Sequence, residues 1–291
     1  MNWPALSSSV GMRPSVLVLL VACSLQPNLQ SQDSAASASP ASSAGKSAPV
    51  NAADANARKA RELVNQAIEA LGGQTYLTVR DREQQGRGYV LHHGRQESNG
   101  VIFWSFSEFP DKERDELTKE RDVAELYIGD KGYEITYKGA HAMEAKDLED
   151  YLRRRKFSLD VVLRTWVNDP GVIMLYEGNA LAAQHETYQV TLINARDEAV
   201  TLYLDTDTHL PIKKSFSWRD PVDRQKNLEE EIYENYRLVS GTMAPYNVTR
   251  YFNGDMAGQR FLNSVTINQG LDPAMFDPNS GYNPNKPQKK H

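Results

Sequence analysis

The chain has 291 residues, of which 24% are charged, and a net charge of −5. Charges of both signs are interspersed, which excludes the basic footprint of a nucleic-acid binder. A single cysteine excludes an intramolecular disulfide, and past the N-terminus no apolar run approaches the roughly 20 residues of a membrane-spanning helix, so the body reads as a soluble domain.

In chain order, Arg13 precedes the uninterrupted apolar run 16–22 (VLVLLVA). A positive residue before a short apolar core is the pattern of a secretory signal, and Met12 is an alternative start. The run leads into Leu20-Val21-Ala22-Cys23, which resembles a bacterial lipobox. That resemblance implies a diacylglycerol on the Cys23 thiol, cleavage before it and acylation of the new amine. Buried acyl chains contribute about 0.8 kcal/mol per methylene, enough together for a membrane anchor. Ser24, rather than Asp, follows the cysteine, which in such families implies the periplasmic face of the outer membrane. The alternative is ordinary cleavage within residues 31–38, which discards Cys23 and leaves a periplasmic protein. Residues 24–53 then form a linker, rich in Ala, Ser and Pro from residue 31, with too little apolar surface to order itself.

The domain is expected over residues 54–277. Asp54 reads as the N-cap of a helix in which Ala60, Leu63, Val64, Ala67, Ile68 and Leu71 make one apolar stripe, stopped by Gly72-Gly73. Period-2 alternation follows. Ile102, Trp104 and Phe106 alternate with Phe103, Ser105 and Ser107; Tyr133, Ile135 and Tyr137 alternate with polar neighbours. Residues 112–120 are charged on both faces and read as an exposed edge strand or a loop. Residues 144–155, with Leu148, Tyr151 and Leu152, suggest a helix. Ser158 can cap another, striped by Leu159, Val162, Leu163, Trp166 and Val167 and ended by Asp169-Pro170-Gly171.

Further strands carry Tyr188, Val190 and Leu192, then Val200, Leu202 and Leu204, then Phe216 and Trp218. Leu228, Ile232 and Tyr236 read as an apolar face against Glu229, Glu231 and Tyr233. Strands around Tyr246 and Val265 close the series. Alternation with short turns means antiparallel pairing, roughly ten strands in a meander. A sheet that large curls, and helices before and within it can plug its concave face. After Asp272 the composition reads as loop, with a disordered tail over residues 278–291.

This layout, with Ile68-Glu69-Ala70-Leu71-Gly72-Gly73, the hairpin 200–214 (VTLYLDTDTHLPIKK), Val265-Thr266-Ile267-Asn268 and the closing Leu271-Asp272-Pro273-Ala274-Met275-Phe276, resembles the LolA/LolB lipoprotein-localisation superfamily. The resemblance implies a mainly β (α+β) fold. That fold is an incomplete antiparallel β-barrel, a half-barrel of ten to eleven strands with an N-terminal helix and two mid-chain helices on its concave face. It also implies an apolar hollow for acyl chains of lipids or lipoproteins, and neither catalysis nor a cofactor. Cys23 favours the anchored acceptor type over the soluble carrier. The functional arginine of the carriers and the protruding leucine of the acceptors match no position here.

The residues themselves offer little chemistry. There is no Gly-x-Ser-x-Gly elbow, and Cys23 lies in the signal. His92 and His93 are adjacent on a strand and point apart; Asp205, Asp207 and His209 flank a turn, which explains them without a metal. The run Arg153-Arg154-Arg155-Lys156 suits a helix C-terminus, or alternatively anionic headgroups, and Glu229-Glu230-Glu231 reads as a solvated strand face. The expected pocket lining is Trp104, Phe106, Tyr127, Ile135, Tyr137, Leu202, Leu204, Phe216, Trp218, Ile232 and Tyr236. Each of these is also explained as ordinary core. The reading is therefore a monomeric, non-enzymatic envelope protein that partitions an acyl chain into a pocket gated by the helices of residues 144–167. The alternative is an interaction module with a filled barrel.

Overall fold

The computed structural model describes residues 52–92, 95–96 and 99–285. The expected signal with Cys23, the expected linker up to residue 51, His93 and the last six residues lie outside the described residues.

Helix α1 (Ala52–Leu71) opens the domain, two residues before the expected cap, so Asp54 falls in its first turn. Its six stripe residues are each no more than 8% exposed. At a rough 1.5–3 kcal/mol per large aliphatic side chain, that stripe fixes the helix on the sheet. The helix stops at Gly72, whose φ of 125° and whose backbone contact with Gly241 leave no room for a side chain: a Cβ there would lie 2.4 Å from the Gly241 carbonyl oxygen. Gly72→Ala is therefore expected to cost about 1–3 kcal/mol in urea unfolding.

After the single turn α2 (Gln74–Leu77) come β1 (Asp81–His92), β2 (Arg95–Gln96), β3 (Val101–Glu108), β4 (Lys112–Leu117), β5 (Val123–Ile128), β6 (Lys131–Thr136) and β7 (Gly139–Ala142). Helices α3 (Ala145–Lys156) and α4 (Leu159–Arg164) follow, and a 3-10 turn (Trp166–Asn168) extends α4. Then come β8 (Ile173–Ala182), β9 (His185–Ile193), β10 (Ala199–Asp205), β11 (Pro211–Arg219), β12 (Lys226–Val239), β13 (Thr242–Phe252) and β14 (Asp255–Ile267). The Ser158 hydroxyl accepts from the Val161 N–H, the cap expected for α4.

The fourteen strands of the described residues form one antiparallel sheet, ordered β7-β6-β5-β4-β3-β1-β14-β13-β12-β11-β10-β9-β8, with β2 paired to β1. It is the expected open, mainly antiparallel architecture, with more strands than the ten or eleven expected. β1 pairs with both β3 and β14, so the two ends of the domain meet mid-sheet. The unpaired edges are β7 and β8, and the sheet does not close into a barrel. The link between those edges is α3–α4, which crosses one face of the sheet as a strap.

Two expectations fail here, for one physical reason: charges that are paired can be buried. β4 is an interior strand between β3 and β5, neither edge nor loop, and Arg114 and Glu116 on it are 3% and 0% exposed. On β12 the inward positions are Glu229 and Tyr233, at 4% and 5% exposure, while Leu228 is 39% exposed. The glutamate run is thus no solvated face. In the segment after Asp272, Met275 and Phe276 are buried against Phe106 and Leu126, and Asn285 donates to the Glu120 carbonyl.

Candidate functional site

Cross-strand partners share a face of a sheet, so the register sorts the inner, strap-covered face from the outer one. On the β8–β11 half the inner face is apolar. Val190, Leu192, Val200, Leu202 and Leu204 are fully buried there, with Phe216, beneath α1 and α4. Val162, Leu163 and Trp166 fill the space from above, and Phe157 stacks on Phe216 with centroids 4.2 Å apart. Ordinary amphipathic packing explains this half.

On the β3–β6 half the inner face is polar and α3 lies over it. No residue of α3 is fully buried. It is held by directed contacts instead. The Tyr151 hydroxyl donates to Glu113 at 2.7 Å, and the Tyr151 ring stacks on Tyr127 at 3.4 Å. Arg153 pairs with Asp150 at 2.6 Å and Glu229 at 3.4 Å, and its guanidinium lies 3.6 Å from the Trp218 ring centroid. Arg155 donates to the Gly129 carbonyl at 2.6 Å, and Lys156 pairs with Glu198 at 2.5 Å. The basic run at the end of α3 is therefore largely spent holding the strap down, and is not a free patch for headgroups. At the far end Asp160 takes Arg82 at 2.8 Å, and Arg164 donates to the Leu77 and Val79 carbonyls.

Beneath α3 the register sets Asp115 opposite Glu125 and Glu125 opposite Glu134. Burial, then the charges of Asp115 and Glu134, push the Glu125 carboxyl up to about 7 against the Tyr127 hydroxyl bond and Arg154. Burial and Asp115 also push Glu113 up. Between the two halves Lys214, fully buried, lies 2.9 Å from Glu231. Burial raises Glu231, but Lys214 and the Tyr233 hydroxyl outweigh it and hold the carboxyl below its ordinary value.

The expected lining residues fall in three places. Leu202, Leu204, Phe216, Trp218, Tyr236 and Tyr127 meet the helices on the inner face. Trp104, Phe106 and Ile135 lie on the outer face, in the cluster covered by Met275, Phe276 and Tyr282. Ile232 lines an outer concavity of about 350 Å3 with Thr249, Tyr251 and Met256, and Tyr137 is 88% exposed. A second concavity, about 290 Å3, lies beside the β9–β10 turn, where Lys156 and Glu198 meet Trp166. Asp205 is spent on its turn, accepting from the Thr208 N–H at 2.8 Å and His185 at 2.9 Å. Among the described residues no group of three or more His, Cys, Asp or Glu is arranged to hold a metal ion. Sequence reasoning missed the carboxylate row; the only signal was Asp115, Glu125 and Glu134 at matching positions of successive hairpins.

No family model matches this chain, and no curated protein matches it. Solved structures do. A DUF1329 family protein from Desulfovibrio piger superposes with a TM-score of 0.55 at 11% identity, covering 76% of this chain and 97% of that one. A domain assigned to outer membrane lipoprotein sorting in Vibrio parahaemolyticus gives 0.52 at 11% identity, over the same shares. At such identity the likeness is one of fold, which this chain shares with both structures.

Proposed function

We propose that this is an exported envelope protein that takes an acyl chain of a lipid or lipoprotein between the inner sheet face and the strap α3–α4. Cys23 serves as its lipid anchor at the outer membrane, and the role lies in lipid or lipoprotein trafficking. The observation that carries the reading is the asymmetry of the strap. A movable cover needs a seat that water can replace, and α3 is seated by hydrogen bonds and ion pairs rather than by buried apolar side chains. Next to it, Phe157 and α4 occupy an apolar seat that a hydrocarbon chain can take over. A chain of about 14 methylenes gains up to about 10 kcal/mol from burial, before ordering costs. The pocket lies with Leu202, Leu204, Phe216, Trp218, Tyr236 and Tyr127. The likeness to a lipoprotein-sorting domain agrees with this reading through the fold alone.

A second reading is favoured by the packing of the closed form. The apolar half of the inner face is filled by the chain's own side chains, as expected of a non-catalytic interaction module. Native mass spectrometry of the protein, purified gently from bacterial cells, separates the two. The expected result is a bound mass that dissociates as a lipid. An apo mass that stays unchanged after incubation with lipids favours the filled module.

A further inference from the structure

Like charges placed directly opposite on neighbouring strands are destabilising, and this sheet has two such pairs in one row, Asp115–Glu125 and Glu125–Glu134. The row runs across β4, β5 and β6 under α3. One atom of it is out of balance: the Oδ1 of Asp115 is buried and accepts no hydrogen bond. A buried acceptor without a donor is destabilising, and no carboxylate can supply a donor unless the row carries a proton.

We propose that α3 is a proton-dependent latch, in which a proton shared between Glu125 and Asp115 removes the repulsion along the row, gives the Asp115 oxygen its missing donor and keeps the strap seated. Every group facing the row takes part. From its own sheet, Tyr127 donates to Glu125 at 2.9 Å, and His141 of β7 stands opposite Glu134. Glu113, two residues from Asp115 on the same face of β4, faces Asp115, Arg82 of β1 and Arg260 of β14. From α3, Arg154 faces Glu125, while Tyr151 binds Glu113 and stacks on Tyr127. Arg154 offsets the charge of Glu125 from above, and the nearby Arg250 repels Arg154.

The direction follows from linkage. Closed, Glu125 titrates at about 7; its ordinary value is 4.5. With α3 lifted, water returns and the carboxyl falls back toward that ordinary value. The closed form therefore holds the proton more tightly. Closure is favoured most below the ordinary value, and that advantage is lost as pH rises through 4.5 toward 7. Glu113, raised in the same direction, adds to the effect. The strap loosens with alkalinity.

The latch rests on the reading of α3 as a cover, and not on what the cover admits. Amide hydrogen exchange of the full chain without ligand therefore tests it apart from any lipid-binding result. After correction for the intrinsic pH dependence of exchange, amides of α3 are expected to open on the order of tenfold more often at pH 8 than at pH 5.5. Amides of β9–β11 serve as the control and stay level. Glu125→Gln keeps the size and loses the charge, so α3 is expected to stay protected at pH 8. Asp115→Asn is expected to flatten the profile too. Equal opening of wild-type α3 at both pH values overturns the latch, and so does a Glu125→Gln protein that keeps the wild-type slope.

Discussion

Glu116→Ala is expected to lower the unfolding free energy by about 3–5 kcal/mol. The side chain is wholly buried and receives two guanidinium groups, Arg114 at 2.7 Å and Arg121 at 2.5 Å. Arg114 is itself 3% exposed, donates to the Met275 carbonyl at 3.2 Å and lies over the Tyr282 ring. Arg121 covers Trp104 and Phe106. Removing the carboxylate leaves Arg114 buried with its charge uncompensated, which is the expensive way to break such a pair. The loss should be visible as a drop in urea midpoint, with early exposure of residues 271–285 to protease. Replacing all three charged residues by apolar ones of similar size is expected to restore much of the stability, since paired charges gain little over good packing. A Glu116→Ala protein as stable as the wild type would mean that this carboxylate is not what holds the C-terminal segment to the sheet.

The same residues explain which parts of the molecule were legible in advance. The α1 stripe was legible to the residue, because apolar positions three and four apart leave a helix only one face to bury. The Ser158 cap and the helices that interrupt the sheet were legible from capping chemistry and spacing. The inner face of β12 was not. Alternation assigns charged residues to water, yet Glu229 is buried and Glu231 half-buried, because Arg153, Trp218 and Lys214 meet them from other elements. No local window contains those partners, since 76 residues separate Arg153 from Glu229. On β4 the paired charges Arg114, Glu116 and Arg121 are local, but the Met275 carbonyl that Arg114 also binds is 161 residues away. The split of the expected pocket into inner and outer sets follows from register: Trp104 and Phe106 have the right composition for a lining, yet their side of β3 faces the C-terminal segment. Tyr127, on β5, falls on the strap side of the sheet, as Phe216 and Leu202 do.

Phe157→Ala is the substitution that divides the two functional readings. Phe157 is 3% exposed, stacks on Phe216 at 4.2 Å and meets Trp166 edge-on at 5.5 Å, at the joint between α3 and α4. Truncating a buried phenylalanine costs about 3–5 kcal/mol, part of it from the cavity left behind. If the strap is a cover in competition with an acyl chain, that cost falls on the closed form. Bound ligand recovers it by filling the vacated space beside Phe216, as apolar ligands fill apolar cavities. An acyl probe is then expected to bind at least tenfold more tightly than to wild type, and to raise the Tm of the variant more than that of the parent. If the inner face is a permanent core, the variant loses stability and gains no affinity. Arg153→Ala guards against a variant that fails to fold. It removes the ion pair to Glu229 and the contact on Trp218 without opening the apolar half, so a true cover opens faster and the probe associates faster. Unchanged association with Arg153→Ala, together with unchanged affinity in Phe157→Ala, would leave the filled module as the function of this sheet, because both seats of the strap would then have been loosened with nothing entering beneath it.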